Sequence, residues 1–170
     1  HKVDSYQCLK MLKVLSHLVG SHGMAGGECL DILLKDKEQH DYKELEYIFY
    51  LKTSKLIMAS ILLPAAASQK RDKIVLNNLR KFAANLGISF QIHDDLLEYS
   101  SNSNILGKPS KFDKNLQSLS KCSYLDFFDI DEAKNKETSF YQKALFHLQA
   151  TGLATKKIEL ITNYVIERMY

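Results

Sequence analysis

Tryptophan is absent from this chain, and proline occurs only twice, at Pro64 and Pro109. So little proline leaves long stretches in which no backbone donor is missing, which favours uninterrupted helices. Cysteine is scarce as well. Cys8, Cys29 and Cys122 are odd in number and lack zinc-type spacing, which argues against a disulfide framework and suits a reducing cytosol. No long apolar run exists either: residues 56–67 contain Ser60 and Pro64 and are too short to cross a membrane. An excess of one charge sign is also missing. The 23 basic and 20 acidic side chains leave a net charge of +3, with the lysines scattered, so a nucleic-acid partner is not expected. Sustained period-two alternation and internal repeats are lacking, and low complexity is confined to residues 100–104. These absences leave an all-α bundle of long helices, and 170 residues make one domain at most.

Helical periodicity divides the chain. Residues 4–35 read as one long helix with Leu9, Leu12, Leu15, Leu18 and Val19 on its early apolar face. Its interior carries Gly20, Gly23, Gly26 and Gly27, each costing about 1 kcal/mol relative to alanine. Close approach of a neighbouring helix or of a ligand would explain them; a phosphate-cradling loop would not, since no strand precedes the glycines. Residues 36–40 form a polar link, and Asp41-x-x-Glu44 resembles a capping box. Leu45, Ile48, Phe49, Lys52, Leu56, Ala59 and Leu63 then recur at helical spacing, with Pro64 set to kink or end the helix. Lys52 is the polar exception on that stripe, by itself a snorkelling side chain. After a turn at 68–72, residues 74–99 form the central helix, buried through Leu76, Leu79, Phe82, Ala83, Leu86 and Phe90. Residues 100–113, rich in Ser and Asn, read as a loop and a candidate lid. A helix over 131–150, capped by Asp131 and stopped by Gly152, precedes a terminal helix from Thr155. Ile158, Ile161, Tyr164, Val165 and Met169 mark the apolar positions of that last helix.

The chemistry concentrates on the central helix. Gln91, Asp94, Asp95 and Glu98 fall at i, i+3, i+4 and i+7, which is one helical stripe, while Phe90, Ile92, Leu96 and Leu97 belong against neighbouring helices. Carboxylates this close disfavour one another's ionisation, and a divalent cation relieves that cost. An all-oxygen set suits magnesium, which shares its shell with substrate phosphates. Taken alone, the stripe reads more simply as the solvated face of an amphipathic helix. His93 points about 100° away from Asp94 and reads as a structural histidine.

The surrounding motifs change that balance. Phe90-Gln91-x-x-Asp94-Asp95-x-x-Glu98, followed by Leu106-Gly107-Lys108, resembles the second aspartate-rich motif of the short-chain isoprenyl (farnesyl/geranyl) diphosphate synthases. Gly23-Met24-Ala25-Gly26-Gly27-Glu28-x-x-Asp31, Lys52-Thr53 and Lys121-Cys122-Ser123-Tyr124 resemble further elements of that family in the same order. The resemblance runs from about residue 20 to the end and corresponds to the C-terminal half of such an enzyme. It makes residues 1–170 the C-terminal part of a single isoprenoid-synthase-type domain, truncated at the N-terminus.

The resemblance implies a magnesium-dependent prenyltransferase. It would condense an allylic diphosphate (dimethylallyl or geranyl) with isopentenyl diphosphate to farnesyl or a related short-chain prenyl diphosphate. Asp94 and Asp95 would bind Mg2+, with Glu98 standing where the family has Asp. Lys52, Thr53, Gln91 and Lys108 would hold the substrate diphosphate, making Asp94, Asp95 and Lys52 the catalytic set. A cytoplasmic location and a homodimeric full-length parent are implied as well, with no membrane span and no nucleic acid. The upstream acids would be missing from this piece, which alone is expected to be inactive. Glu28, where the family has Gln, and Glu98 are departures that point to an alternative, a non-catalytic synthase-like subunit or scaffold. A metal phosphohydrolase built on His93 and a terpene cyclase are the other readings.

Overall fold

The computed structural model describes residues 3–34, 41–68, 72–106 and 122–167, and among them every regular element is helical. The first helix, α1 (Ser5–Val19), starts at Asp4, whose carboxylate accepts from Gln7 N–H while Gln7 reaches back to Asp4 N–H. It ends at Gly20, and α2 (Met24–Leu34) follows after a tight turn. The single helix expected over 4–35 is therefore two. The turn between them explains Gly23, where a Cβ would lie 2.0 Å from the Leu18 carbonyl oxygen. Only part of the expected apolar face of α1 is covered: Leu18 is buried, while Leu9 and Leu12 are exposed.

Asp41 caps α3 (Tyr42–Phe49) by accepting from Glu44 N–H at 2.8 Å. The chain continues through a π-helical turn, Tyr50–Ser54, into α4 (Lys55–Ala67), which contains Pro64 without interruption. Together Tyr42–Ala67 is long and apolar enough to cross a membrane by length and composition. Part of it is packed in protein cores: Leu45, Ile48 and Phe49 in one, Met58, Ala59 and Leu62 in the other.

The central helix α5 (Lys73–Leu106) is longer than the expected 74–99. Residues 100–106, read as the start of a loop, continue the helix, and the rest of the candidate lid lies outside the described residues. A 3₁₀ turn, Tyr124–Asp126, leads to α6 (Ile130–Gln149). The cap of α6 is Asp129 rather than Asp131. Asp129 accepts from Glu132 N–H at 2.8 Å while Glu132 accepts from Asp129 N–H, so the reciprocal pair sits two residues earlier and leaves Asp131 in the first turn. Gly152, at φ 66°, marks the stop after α6. The last helix, α7 (Lys156–Glu167), buries Thr162 while Ile161 and Tyr164, expected to be inward, are exposed.

Two apolar cores are strung along α5. Leu79, Phe82, Ala83 and Leu86 join α1, α4 and α6 in the first. Further along, Ile92 joins Leu34, Leu45, Ile48, Phe49, Tyr124 and Ala133 in the second. Each fully buried side chain of this size contributes about 1.5–3 kcal/mol, so the second core holds α2, α3, α5 and the 3₁₀ turn firmly around the acid stripe. Residues of α4, α5 and α7 line an apolar groove of about 800 Å³ that includes Ile57, Leu76, Phe82 and Ile158.

Candidate active site

The π turn is the local device that presents Lys52. It is closed by the Lys55 N–H bond to the Tyr50 carbonyl, one residue longer than an α-helical bond. The extra residue rotates everything downstream by about 100°. The expected stripe through Leu56 and Leu63 is therefore displaced: Leu56 is exposed, and Leu51, Ser54, Met58 and Leu62 are buried instead. The turn is fixed on both sides by glycine. On one side a Cβ at Gly27 would sit 2.4 Å from Lys52 N, so only glycine lets α2 approach this closely. On the other side a Cβ at Gly87 of α5 would sit 2.5 Å from Ser54 Cα. The buried Ser54 hydroxyl donates to the Ala84 carbonyl at 2.9 Å and completes that junction.

Held there, Lys52 places its ammonium between two carboxylates of α2, 2.7 Å from Asp31 Oδ2 and 2.9 Å from Glu28 Oε2. Burial by itself opposes the ammonium charge. The hydrogen bonds and charges of Asp31 and Glu28 together outweigh it and hold the Lys52 pKa above its ordinary 10.5. Thr53, the next residue of the turn, is half-buried.

The acid stripe is unevenly buried. Gln91, buried, donates through Nε2 to Asp94 Oδ2 at 3.3 Å, so these two act together on the half-buried side of α5. Asp95 is turned inward, 3% exposed, and its Oδ2 accepts from Tyr124 N–H at 2.8 Å. Glu98 lies one turn beyond Asp94 and is exposed. His93 faces α6, with Nδ1 2.9 Å from Glu137 Oε1, as a structural histidine should. Lys108 and Lys121 lie outside the described residues.

Three residues near these groups carried weaker sequence signals. Asp31 matched a motif, but its buried pairing with Lys52 needs the fold to bring α2 against the π turn. Tyr124 is fully buried, donates its hydroxyl to Glu46 Oε1 at 2.6 Å, and has its pKa raised by burial and by that bond. Cys122 is buried in the core that also holds Leu34 of α2 and Ile92 of α5. Burial first, then the charges of Asp126, Asp31 and Asp95, push its thiol up to about 12. Among the described residues no three His, Cys, Asp or Glu side chains gather into a metal cage. Magnesium does not require one, since it takes one or two carboxylates with water and phosphate oxygens. Asp94 and Glu98 supply oxygens of the right hardness, which fits that ion.

Among the described residues this all-α bundle has the isoprenoid-synthase fold. It superposes on the geranyltransferase of Helicobacter pylori 26695 with a TM-score of 0.79 at 22% identity, covering 97% of this chain and 52% of that one. A structure of the H. pylori geranyltransferase complexed with magnesium and isoprenyl diphosphate matches at a TM-score of 0.74 and 24% identity, covering 96% of this chain and 52% of that one. The chain belongs to the polyprenyl synthetase family, whose model matches residues 1–161. In sequence it is 30% identical over 170 residues to the farnesyl diphosphate synthase of Escherichia coli (strain K12), covering 98% of this chain and 56% of that protein. The chain thus spans about half the length of the curated relatives it matches.

Proposed function

We propose that this chain carries the lysine and second-acid half of a magnesium-dependent prenyltransferase. The enzyme would join an allylic diphosphate to isopentenyl diphosphate and form farnesyl diphosphate or a related short-chain product. The observation that supports this best is Lys52 at the π turn, 2.7 Å from buried Asp31 of α2, while Asp95 of α5 accepts from Tyr124 N–H in the core that α2, α3 and α5 share. Lys52 and Thr53 offer donors to a diphosphate, and Gln91 and Lys108 belong to the same set. Asp94, Asp95 and Glu98 would hold magnesium, Asp95 through its charge while it anchors the Tyr124 turn. The ion supplies charge neutralisation to the leaving diphosphate. The protein supplies orientation and a dry, helix-walled space in which the allylic cation survives. In this reading the remaining acids and the isopentenyl diphosphate pocket belong to the half of such a synthase that this chain does not match. Homodimerisation of the whole protein and a cytoplasmic location belong to the same reading.

Calorimetric titration of the 170-residue chain with inorganic pyrophosphate and magnesium tests the site. Losing a charge-assisted bond costs about 1.5–3 kcal/mol, so Lys52→Ala should weaken binding by roughly 10- to 100-fold. Prenyl transfer from geranyl diphosphate should be undetectable with this chain alone. It should appear in a full-length protein containing it and vanish there with Asp94→Ala. A full-length protein that folds, binds pyrophosphate and elongates nothing would replace the enzyme by the scaffold reading.

A further inference from the structure

We propose that Glu28 is a displaceable counter-ion of Lys52, which an incoming diphosphate must push aside, whereas Asp31 is the permanent positioning residue for the same ammonium. This rests on the reading of Lys52 as a diphosphate-binding residue. Both carboxylates come from one face of α2, three residues apart, and both reach Lys52 Nζ within 3 Å, at 2.9 and 2.7 Å. Their surroundings differ sharply. The Asp31 side chain is 6% exposed and that of Glu28 is 52% exposed. A buried carboxylate left without its ammonium is strongly destabilising, so Asp31 keeps its partner. A half-exposed pair is worth little, and the long Glu28 side chain gives up only a weak interaction when it swings into water.

Charge decides the consequence. One ammonium between two carboxylates has a net charge of −1, so a diphosphate meets repulsion from Glu28 before it meets attraction from Lys52. The close approach of α2 at Gly27, where a Cβ would lie 2.4 Å from Lys52 N, brings both carboxylates within reach of the ammonium. Glu28 therefore lowers the affinity of the site for free diphosphate and favours a diphosphate that arrives already neutralised by a divalent cation. A neutral amide at this position would leave a balanced Lys52–Asp31 pair, and the site would bind diphosphate with less help from the ion.

Two measurements on the 170-residue chain test this. Inorganic pyrophosphate is titrated into the wild type, Glu28→Gln and Asp31→Asn by calorimetry, with and without magnesium. Glu28→Gln should bind about fivefold tighter, the equivalent of removing an exposed ionic competitor, and the gain should be larger without magnesium. Asp31→Asn should bind more weakly. Damage to the fold cannot produce the gain. Second, the rate at which Lys52 is acylated by a water-soluble anhydride is followed by peptide mass spectrometry. The rate should rise in Glu28→Gln, because the ammonium has lost one partner, and pyrophosphate should slow it. Equal or weaker pyrophosphate binding by Glu28→Gln overturns the proposal. If neither wild type nor variant binds pyrophosphate, the diphosphate reading of Lys52 fails and this inference with it. The acylation rates then still report whether Glu28 clamps Lys52, and an unchanged rate removes the clamp as well.

Discussion

Gly27→Ala probes the packing that positions Lys52. Helix propensity alone makes this change favourable by about 1 kcal/mol, because glycine is a poor helix residue and position 27 lies inside α2. The tertiary structure opposes it. The new methyl carbon would lie 2.4 Å from Lys52 N, 2.7 Å from Leu51 Cβ and 2.8 Å from Leu51 C. Two of those atoms are backbone and cannot rotate away, so α2 must retreat by roughly 1 Å to restore ordinary contact. Overpacking of this kind costs about 1–3 kcal/mol. The same retreat stretches the 2.7 Å Lys52–Asp31 bond, a charge-assisted contact to a buried carboxylate worth about 1.5–3 kcal/mol. Set against the propensity gain, the net loss is about 3 kcal/mol, or roughly 6–12 °C in Tm for a chain of this size. Urea unfolding followed by circular dichroism at 222 nm measures it, with pyrophosphate titration reporting the site. Gly152→Ala is the reference: it carries φ 66° with nothing within 4 Å, so it should cost only about 1 kcal/mol of backbone strain and leave pyrophosphate binding unchanged. A Gly27→Ala protein as stable as the wild type would refute the argument that α2 touches the π turn through its backbone.

Two more expectations follow from the titratable groups. Cys8 and Cys29 are exposed, whereas Cys122 is buried with its thiol pushed up to about 12. Ellman's reagent at pH 8 should therefore find two fast thiols and a third only in denaturant; three fast thiols would contradict the assigned burial. His147 is lowered below its ordinary 6.5 by burial and then by the Lys81 charge, and its Nδ1 lies 3.1 Å from Asn78 Oδ1 on α5. The folded chain thus prefers the neutral ring. Stability contributed here is present above pH 6.5 and is lost as pH falls through that value, because the unfolded chain takes up the proton first. The urea midpoint should drop between pH 7.5 and 5.5 by more in the wild type than in His147→Gln, and equal drops would dismiss the α5–α6 contact as the cause.

The elements that periodicity located were those whose local signals agreed with the fold. Asp41 and Gly152 marked their boundaries because capping and positive φ are chemistry of a single turn. Spacing put the acids on one helical stripe but not how deeply each is buried: Asp95 accepts from Tyr124 N–H of a distant segment. The errors have equally specific causes. The stripe through Lys52 slipped because a π turn leaves no mark in a pattern of apolar residues. Asp131 was expected to cap α6, and the reciprocal bond with Glu132 places the cap at Asp129 instead.

By itself the sequence determined that the chain is helical, which motifs it carries, and the family whose spacing those motifs share. These are properties of neighbours within a few turns, where side-chain type and period act directly on the backbone. The tertiary structure alone decided that α2 lies against Lys52 N, that two carboxylates share one ammonium, and that Asp95 anchors a turn. Those contacts join residues distant along the chain, and their energies depend on burial and approach distance, which no pattern of residue types records.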